Sequence, residues 1–146
     1  MIPVYSQNND DCFTACIASI TGIPYKEIPI KPPKFTYTLN LLTKERIIGD
    51  DEGHLKWWEE WLYSKGWKVN LFSKPIEEEC IICLVPLSYP YQLRSIEVFA
   101  ISHAVISRNH KTIHDPTPSH QLPYEYKSKT RYKMFWMTFK FFEIKC

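Results

Sequence analysis

The 146 residues fit a single domain spanning 1–146, long enough to bury one hydrophobic core. Apolar residues make up 45% of the chain, which excludes a disordered polypeptide, and 11 prolines against four glycines favour stiff loops over flexible linkers. Eighteen Lys and Arg against 16 Asp and Glu leave a formal charge of +2, so the composition offers no electrostatic footprint for nucleic acid. The basic stretch from Lys127 to Lys133 reads as a solvated loop or strand edge.

No apolar run approaches the ~18 residues that a membrane helix requires. The start, Met1-Ile2-Pro3-Val4-Tyr5, lacks a basic segment followed by a long apolar one, so no secretory leader is read and a cytoplasmic protein is expected. Five cysteines are an odd number, and in a reducing compartment all five are thiols.

Residues Gln7 to Asp11 are polar and read as a loop ending in an N-cap, because Asp accepts well from the first N–H groups of a helix. From Cys12 the pattern becomes helical, with Phe13, Cys16, Ile17 and Ile20 on one side. Gly22 suits the position just past the helix end and Pro24 blocks continuation. Pro24, Pro29, Pro32 and Pro33 predict extended loop, and Leu39 to Ile48 a short helix.

Asp50-Asp51-Glu52 puts negative charge where a helix start favours it. Leu55, Trp58, Trp61, Leu62 and Lys65 follow at helical spacing, so a helix is predicted over 53–65, closed by Gly66. The period then switches to two. Predicted strands are Trp67–Phe72, Ile81–Leu87, His103–Ser107, Thr112–His114 and Phe135–Phe142. Two helices followed by strands define an α+β fold, with the helices against one side of a mostly antiparallel sheet.

Cys12 stands in the first turn of the first helix. A thiol there sits among unpaired backbone N–H groups, which favour thiolate and are aimed at any carbonyl that the sulfur attacks. Of the five histidines, only His103 opens a strand-like run, His103-Ala104-Val105-Ile106. The next strand ends in His114-Asp115, and a short turn joins the two. A turn centred on Asn109 sets residue 103 opposite residue 115, with Cβ atoms ~4.5–5.5 Å apart on one face. His103 can then give one ring nitrogen to the Asp115 carboxylate and keep the other for Cys12, the nucleophile, base and orienter of covalent catalysis. A register shifted by one residue would separate them.

Other constellations carry less. Cys80-Ile81-Ile82-Cys83 lacks the second pair that a zinc site requires, and its flanks read as a buried strand. Cys12, Cys16, His103 and His114 do not converge as zinc ligands, because His114 alternates to the face opposite Asp115. His110 falls at the hairpin tip, His54 on an exposed helix turn and His120 after a proline-rich loop. Tyr89-Pro90-Tyr91 suits either a cleft wall or plain packing. The stretch Phe135–Phe142 suits a core or edge strand, or a partner surface. No metal or cofactor is called for.

With Gln7, Asp11-Cys12, His103-Ala104-Val105 and His114-Asp115-Pro116 in this order, the chain resembles the papain-like cysteine peptidase superfamily. More narrowly it resembles the bacteriocin-processing double-glycine peptidase domains of ABC exporters. It also resembles small bacterial and phage proteins with a DCxxAC start and an HDPxPS stretch, here Asp11 to Cys16 and His114 to Ser119. The segments Ile17–Pro24 and Trp57–Leu62 are similar to that family's first helix with its exit and to its second helix. The resemblance covers residues 1 to about 120.

The resemblance implies a papain-like fold, with Cys12 as nucleophile, His103 as base and Asp115 as orienter. It further implies that the Gln7 side-chain amide joins the Cys12 backbone N–H in an oxyanion hole. Phe13 stands where exporter peptidases carry Gly, which implies a different substrate approach, and Gln7 lies one residue nearer the cysteine than is usual.

The expected activity is hydrolysis of a peptide or isopeptide bond in a peptide or protein substrate through a thioacyl-enzyme. The same triad serves transglutaminases, deamidases and N-acyltransferases. A rival of another class is a non-enzymatic binding protein on a papain-like scaffold, phage-encoded and acting in the host cytoplasm. Neither nucleic acid nor membrane is an expected partner, and the oligomeric state stays open.

Overall fold

The computed structural model describes residues 1–8, 10–39, 46–50, 52–72, 76–86, 103–117 and 134–144. In chain order these form helix α1 (Cys12–Thr21), a single 3-10 turn (Tyr25–Glu27), strands β1 (Thr36–Leu39) and β2 (Arg46–Gly49), and helix α2 (His54–Ser64). Strands β3 (Trp67–Phe72), β4 (Cys80–Pro86), β5 (His103–Arg108), β6 (Lys111–His114) and β7 (Met134–Glu143) follow.

The fold is α+β. β3 to β7 make one antiparallel sheet in the order β3-β7-β4-β5-β6, while β1 and β2 pair separately. The predicted helix over Leu39–Ile48 is therefore corrected at both of its ends, while residues 40–45 lie outside the described residues. Thr36–Leu39 and Arg46–Gly49 pair as antiparallel strands, Tyr37 with Ile48 and Thr38 with Ile47. The β-branched residues Thr36, Thr38, Ile47 and Ile48 lose less rotamer freedom in a strand than in a helix, and pairing decided the outcome.

Strand alternation sorts the core. Ile81 and Cys83 of β4, Ala104 and Ile106 of β5 and Met137 and Phe139 of β7 share one face with Phe13, Cys16, Ile17, Trp58 and Leu62 of the helices. On the other face Ile82, Val105 and Thr138 are fully buried as well, so the sheet is covered on both sides. α1 lies over β5 and β4, and α2 over β3.

Phe13 joins these layers. Its ring meets Trp58 edge-on at 5.2 Å and Phe139 at 5.0 Å. It thereby locks the first turn of α1 to both α2 and β7, in the offset geometry that aromatic pairs favour. The stretch between the helices is held in turn: Thr14 Oγ1 donates to Pro29 O at 2.6 Å, and Trp58 Nε1 donates to Lys31 O at 2.9 Å. α1 ends where its glycine allows, with Gly22 left-handed at φ 75° and its N–H on Ala18 O.

Tyr89-Pro90-Tyr91, Lys127–Lys133, His120 and Cys146, as well as Pro118 and Ser119 of the HDPxPS stretch, lie outside the described residues. No helix among the described residues is long and apolar enough to cross a membrane.

Candidate active site

The β5–β6 hairpin builds half of the site. Its turn is not centred on Asn109. Asn109 and His110 form a two-residue turn, both left-handed at φ 54° and 59°, and Arg108 pairs with Lys111. That geometry matches the tight hairpin turn whose twist suits the flanking strands.

Continued unbroken, this register would set residue 115 opposite residue 104, on the wrong side for His103. The ladder instead shifts between Ile106 and Ser107. Ser107 faces Thr112 and Ile106 faces His114, leaving Ile113 as the extra residue of a bulge. One inserted residue restores the parity, so Asp115 falls on the His103 side. The expected direct opposition of 103 and 115 is thus corrected to a diagonal one, past a bulge.

The two side chains meet: His103 Nε2 and Asp115 Oδ1 are 2.8 Å apart. His103 is 2% exposed, so this is a shielded bond and not a screened surface pair. Asp115 Oδ1 also accepts from Thr117 N–H at 2.9 Å, which fixes the carboxylate over its own turn. The next layer comes from the N-terminal strap. Ser6 N–H donates to Pro116 O at 2.9 Å, and Ser6 and Thr117 share a hydroxyl bond at 2.8 Å. His114 Nε2 donates to Val4 O at 2.7 Å, and Ser19 Oγ accepts from Val4 N–H at 2.8 Å. The segment carrying Asp115 is therefore tied to α1 through residues 4–6.

The head of α1 supplies the other half. Beyond the last β5–β6 pair, the backbone N–H of Ala104 reaches the Cys12 sulfur, as do those of Phe13 and of Cys12 itself. Cys12 is thus brought against the residue that follows His103. It is partly exposed, whereas Cys16, Cys80 and Cys83 are buried, and all four are free thiols. CxxC residues Cys80 and Cys83 sit inside β4, as a buried strand predicts.

The expected low pKa of Cys12 is corrected. Burial pushes its thiol up to about 11, and the neighbouring Asp11 carboxylate adds to the rise, against the three backbone N–H groups that favour thiolate. At this helix start desolvation outweighs the local dipoles. Complete burial also pushes Cys16 and Cys83 well up, as befits inert core thiols.

Asp11 does not cap α1 with its side chain. Its Oδ2 turns back and accepts from Gln7 N–H at 2.7 Å, Asn8 N–H at 3.0 Å and Tyr25 Oη–H at 2.5 Å. Burial works against the Asp11 carboxylate, but these donors hold its pKa below the ordinary value. Gln7 is exposed on the loop leading into Cys12, its backbone pinned by Asp11. Phe13 is 1% exposed and points into the core, so its side chain does not obstruct an approaching substrate.

His54 pairs with Glu52 at 3.1 Å and His110 sits at the hairpin tip, away from this arrangement. Among the described residues no group of His, Cys, Asp and Glu is arranged to hold a metal ion. The Ala104 N–H, Tyr25 and Thr117 are site elements that sequence reasoning missed; the first is a backbone group with no residue signature. No family model matches the chain, and neither curated proteins nor solved structures give a match.

Proposed function

We propose that the protein is a papain-like cysteine hydrolase that cleaves a peptide or isopeptide bond, with Cys12 as nucleophile, His103 as base and Asp115 as orienter. The observation that carries this reading is the 2.8 Å His103–Asp115 bond, formed across a bulged hairpin beside a helix-start thiol.

With Nε2–H given to Asp115, Nδ1 is the basic nitrogen of the neutral ring. Because burial holds the Cys12 thiol protonated at neutral pH, its proton passes to Nδ1 as the sulfur attacks the carbonyl carbon. The C–S bond forms, and the carbonyl π pair moves to oxygen, where the Cys12 N–H and the Gln7 amide receive it. Collapse breaks the C–N bond, and the leaving amine takes the proton from the imidazolium that Asp115 stabilises. Water then gives a proton to His103 and attacks the thioester, and the thiol leaves protonated.

An amine in place of water turns the same steps into acyl transfer. Mass spectrometry of products from a peptide library, with and without added amine, separates the two outcomes. Cys12→Ala must abolish both, and turnover that survives Cys12→Ala sinks the proposal. The high thiol pKa is the observation that favours the rival, a binding protein on the same scaffold. That rival predicts no Cys12-dependent product from any library member.

A further inference from the structure

Asp11 is 1% exposed and sits immediately before the proposed nucleophile, yet makes no side-chain bond to the helix it precedes. A buried carboxylate is costly unless its oxygens are satisfied, and the three donors to Asp11 Oδ2 come from outside α1. Two are successive backbone N–H groups, those of Gln7 and Asn8. The third, Tyr25 Oη, also accepts from Asn8 Nδ2 at 3.0 Å, closing a ring of bonds around the turn. Asp10, inside that turn, is left-handed at φ 58°, a conformation that aspartate adopts in turns more readily than most residues.

We propose that Asp11, seconded by Tyr25, is a positioning residue that holds the Gln7–Asp11 turn in the shape which presents the Gln7 amide to the oxyanion. This rests on the hydrolase reading above and adds to it a part for two residues that touch no substrate.

The arrangement has a cost at the sulfur. The Asp11 charge opposes the Cys12 thiolate, so a residue kept for activating the nucleophile would not be an aspartate. An aspartate at this position fits a part in placing the oxyanion donors rather than in lowering the thiol pKa. Misplacing a catalytic group by about 1 Å costs on the order of 100-fold.

The test compares Asp11→Asn and Tyr25→Phe with the wild type in three measurements: amide turnover, iodoacetamide labelling of Cys12 at pH 7, and hydrogen exchange at the Gln7 and Asn8 amides. For Asp11→Asn the expected result is turnover lowered about 10- to 100-fold, Cys12 labelling equal to or up to about threefold above wild type, and faster exchange at both amides. Tyr25→Phe gives the same pattern at about 3- to 10-fold, and carries the test if Asp11→Asn does not fold. A merely structural role predicts that turnover and labelling fall together, and that outcome overturns the inference. Turnover within twofold of wild type, or unchanged exchange at Gln7 and Asn8 in both variants, overturns it too. A wild type that processes no substrate is the separate failure of the hydrolase reading; altered exchange would then still show the turn to be held by Asp11, with no catalytic consequence.

Discussion

Each helix has an aspartate shortly before its start, Asp11 directly before α1 and Asp50 four residues before α2, and the two behave oppositely. Asp50 caps α2 as the sequence suggests: its carboxylate accepts from Leu55 N–H at 2.9 Å and Lys56 N–H at 2.8 Å, across a left-handed Gly53. Asp11 turns its carboxylate away from α1, although the two ladders open alike, with Ala15 N–H on Asp11 O and Trp57 N–H on Gly53 O. The first-turn N–H groups of α1 are left to the Cys12 sulfur and, in the proposed reaction, to an oxyanion. One helix start is finished with hydrogen bonds. The other has no side-chain cap and is held by Phe13 packing. A helix start without a side-chain cap is less stable than a capped one, so the contrast is between a capped start and an uncapped one.

That contrast breaks most sharply at the triad. Asp115→Asn should lower turnover by about 10²- to 10⁴-fold, because the ring loses the partner that fixes its tautomer, while thermal unfolding changes little. Steady-state kinetics beside calorimetry check this, and unaltered turnover would remove Asp115 from the mechanism.

Phe13→Ala tests what holds the uncapped helix start. Removing a fully buried aromatic costs about 3–5 kcal/mol, read from denaturant midpoints, and the loss should exceed that of any cap substitution in α2.

Asp50→Ala should cost about 1 kcal/mol with any turnover by the folded protein unchanged, since α2 lies over β3 and not at the candidate site. Chemical denaturation with parallel activity assays would show it. Equal activity losses for Asp50→Ala and Asp11→Asn would erase the distinction between the two helix starts.

The smallest expected effect is in pH. Cys12 is raised to about 11, Cys80 to about 12, and Cys16 and Cys83 are raised as well, all by burial before anything else. Below about pH 8.5 the thiols are protonated in both states and contribute no slope. Above it the unfolded chain ionises while the folded one keeps its protons, so stability falls as pH rises through the folded values. Melts from pH 8 to 11 should show Tm decreasing, with a shallower slope in Cys83→Ala. A Tm rising over that range would contradict the burial.

The β3, β4, β5, β6 and β7 segments were legible because a period of two and β-branched runs bound them, and each is found within two residues of its predicted ends. Leu39 and Arg46–Ile48, the described ends of the predicted helix, misled, since a four-residue strand carries too little pattern to oppose a helical reading. At the site, the Cys12, His103 and Asp115 positions could be read from motif and hairpin logic. The register could not: a two-residue turn in place of a three-residue one and an unforeseen bulge at Ile113 are two departures that compensate in parity. Asp11 misled for a different reason. An aspartate before a helix has the same sequence signature whether its carboxylate faces the helix or, as here, the loop behind it. The thiol pKa was misjudged because dipoles can be placed from sequence, whereas burial depends on packing.

The most direct test of the account is the rate at which iodoacetamide labels Cys12 at pH 7 in the wild type and in His103→Ala, with Cys16, Cys80 and Cys83 quantified in the same digests. If the imidazole withdraws the thiol proton, His103→Ala should slow Cys12 labelling at least about 10-fold and leave the three buried thiols as unreactive as before. Equal Cys12 labelling in both proteins would mean that His103 does not act on the sulfur, and the proposed chemistry would be wrong.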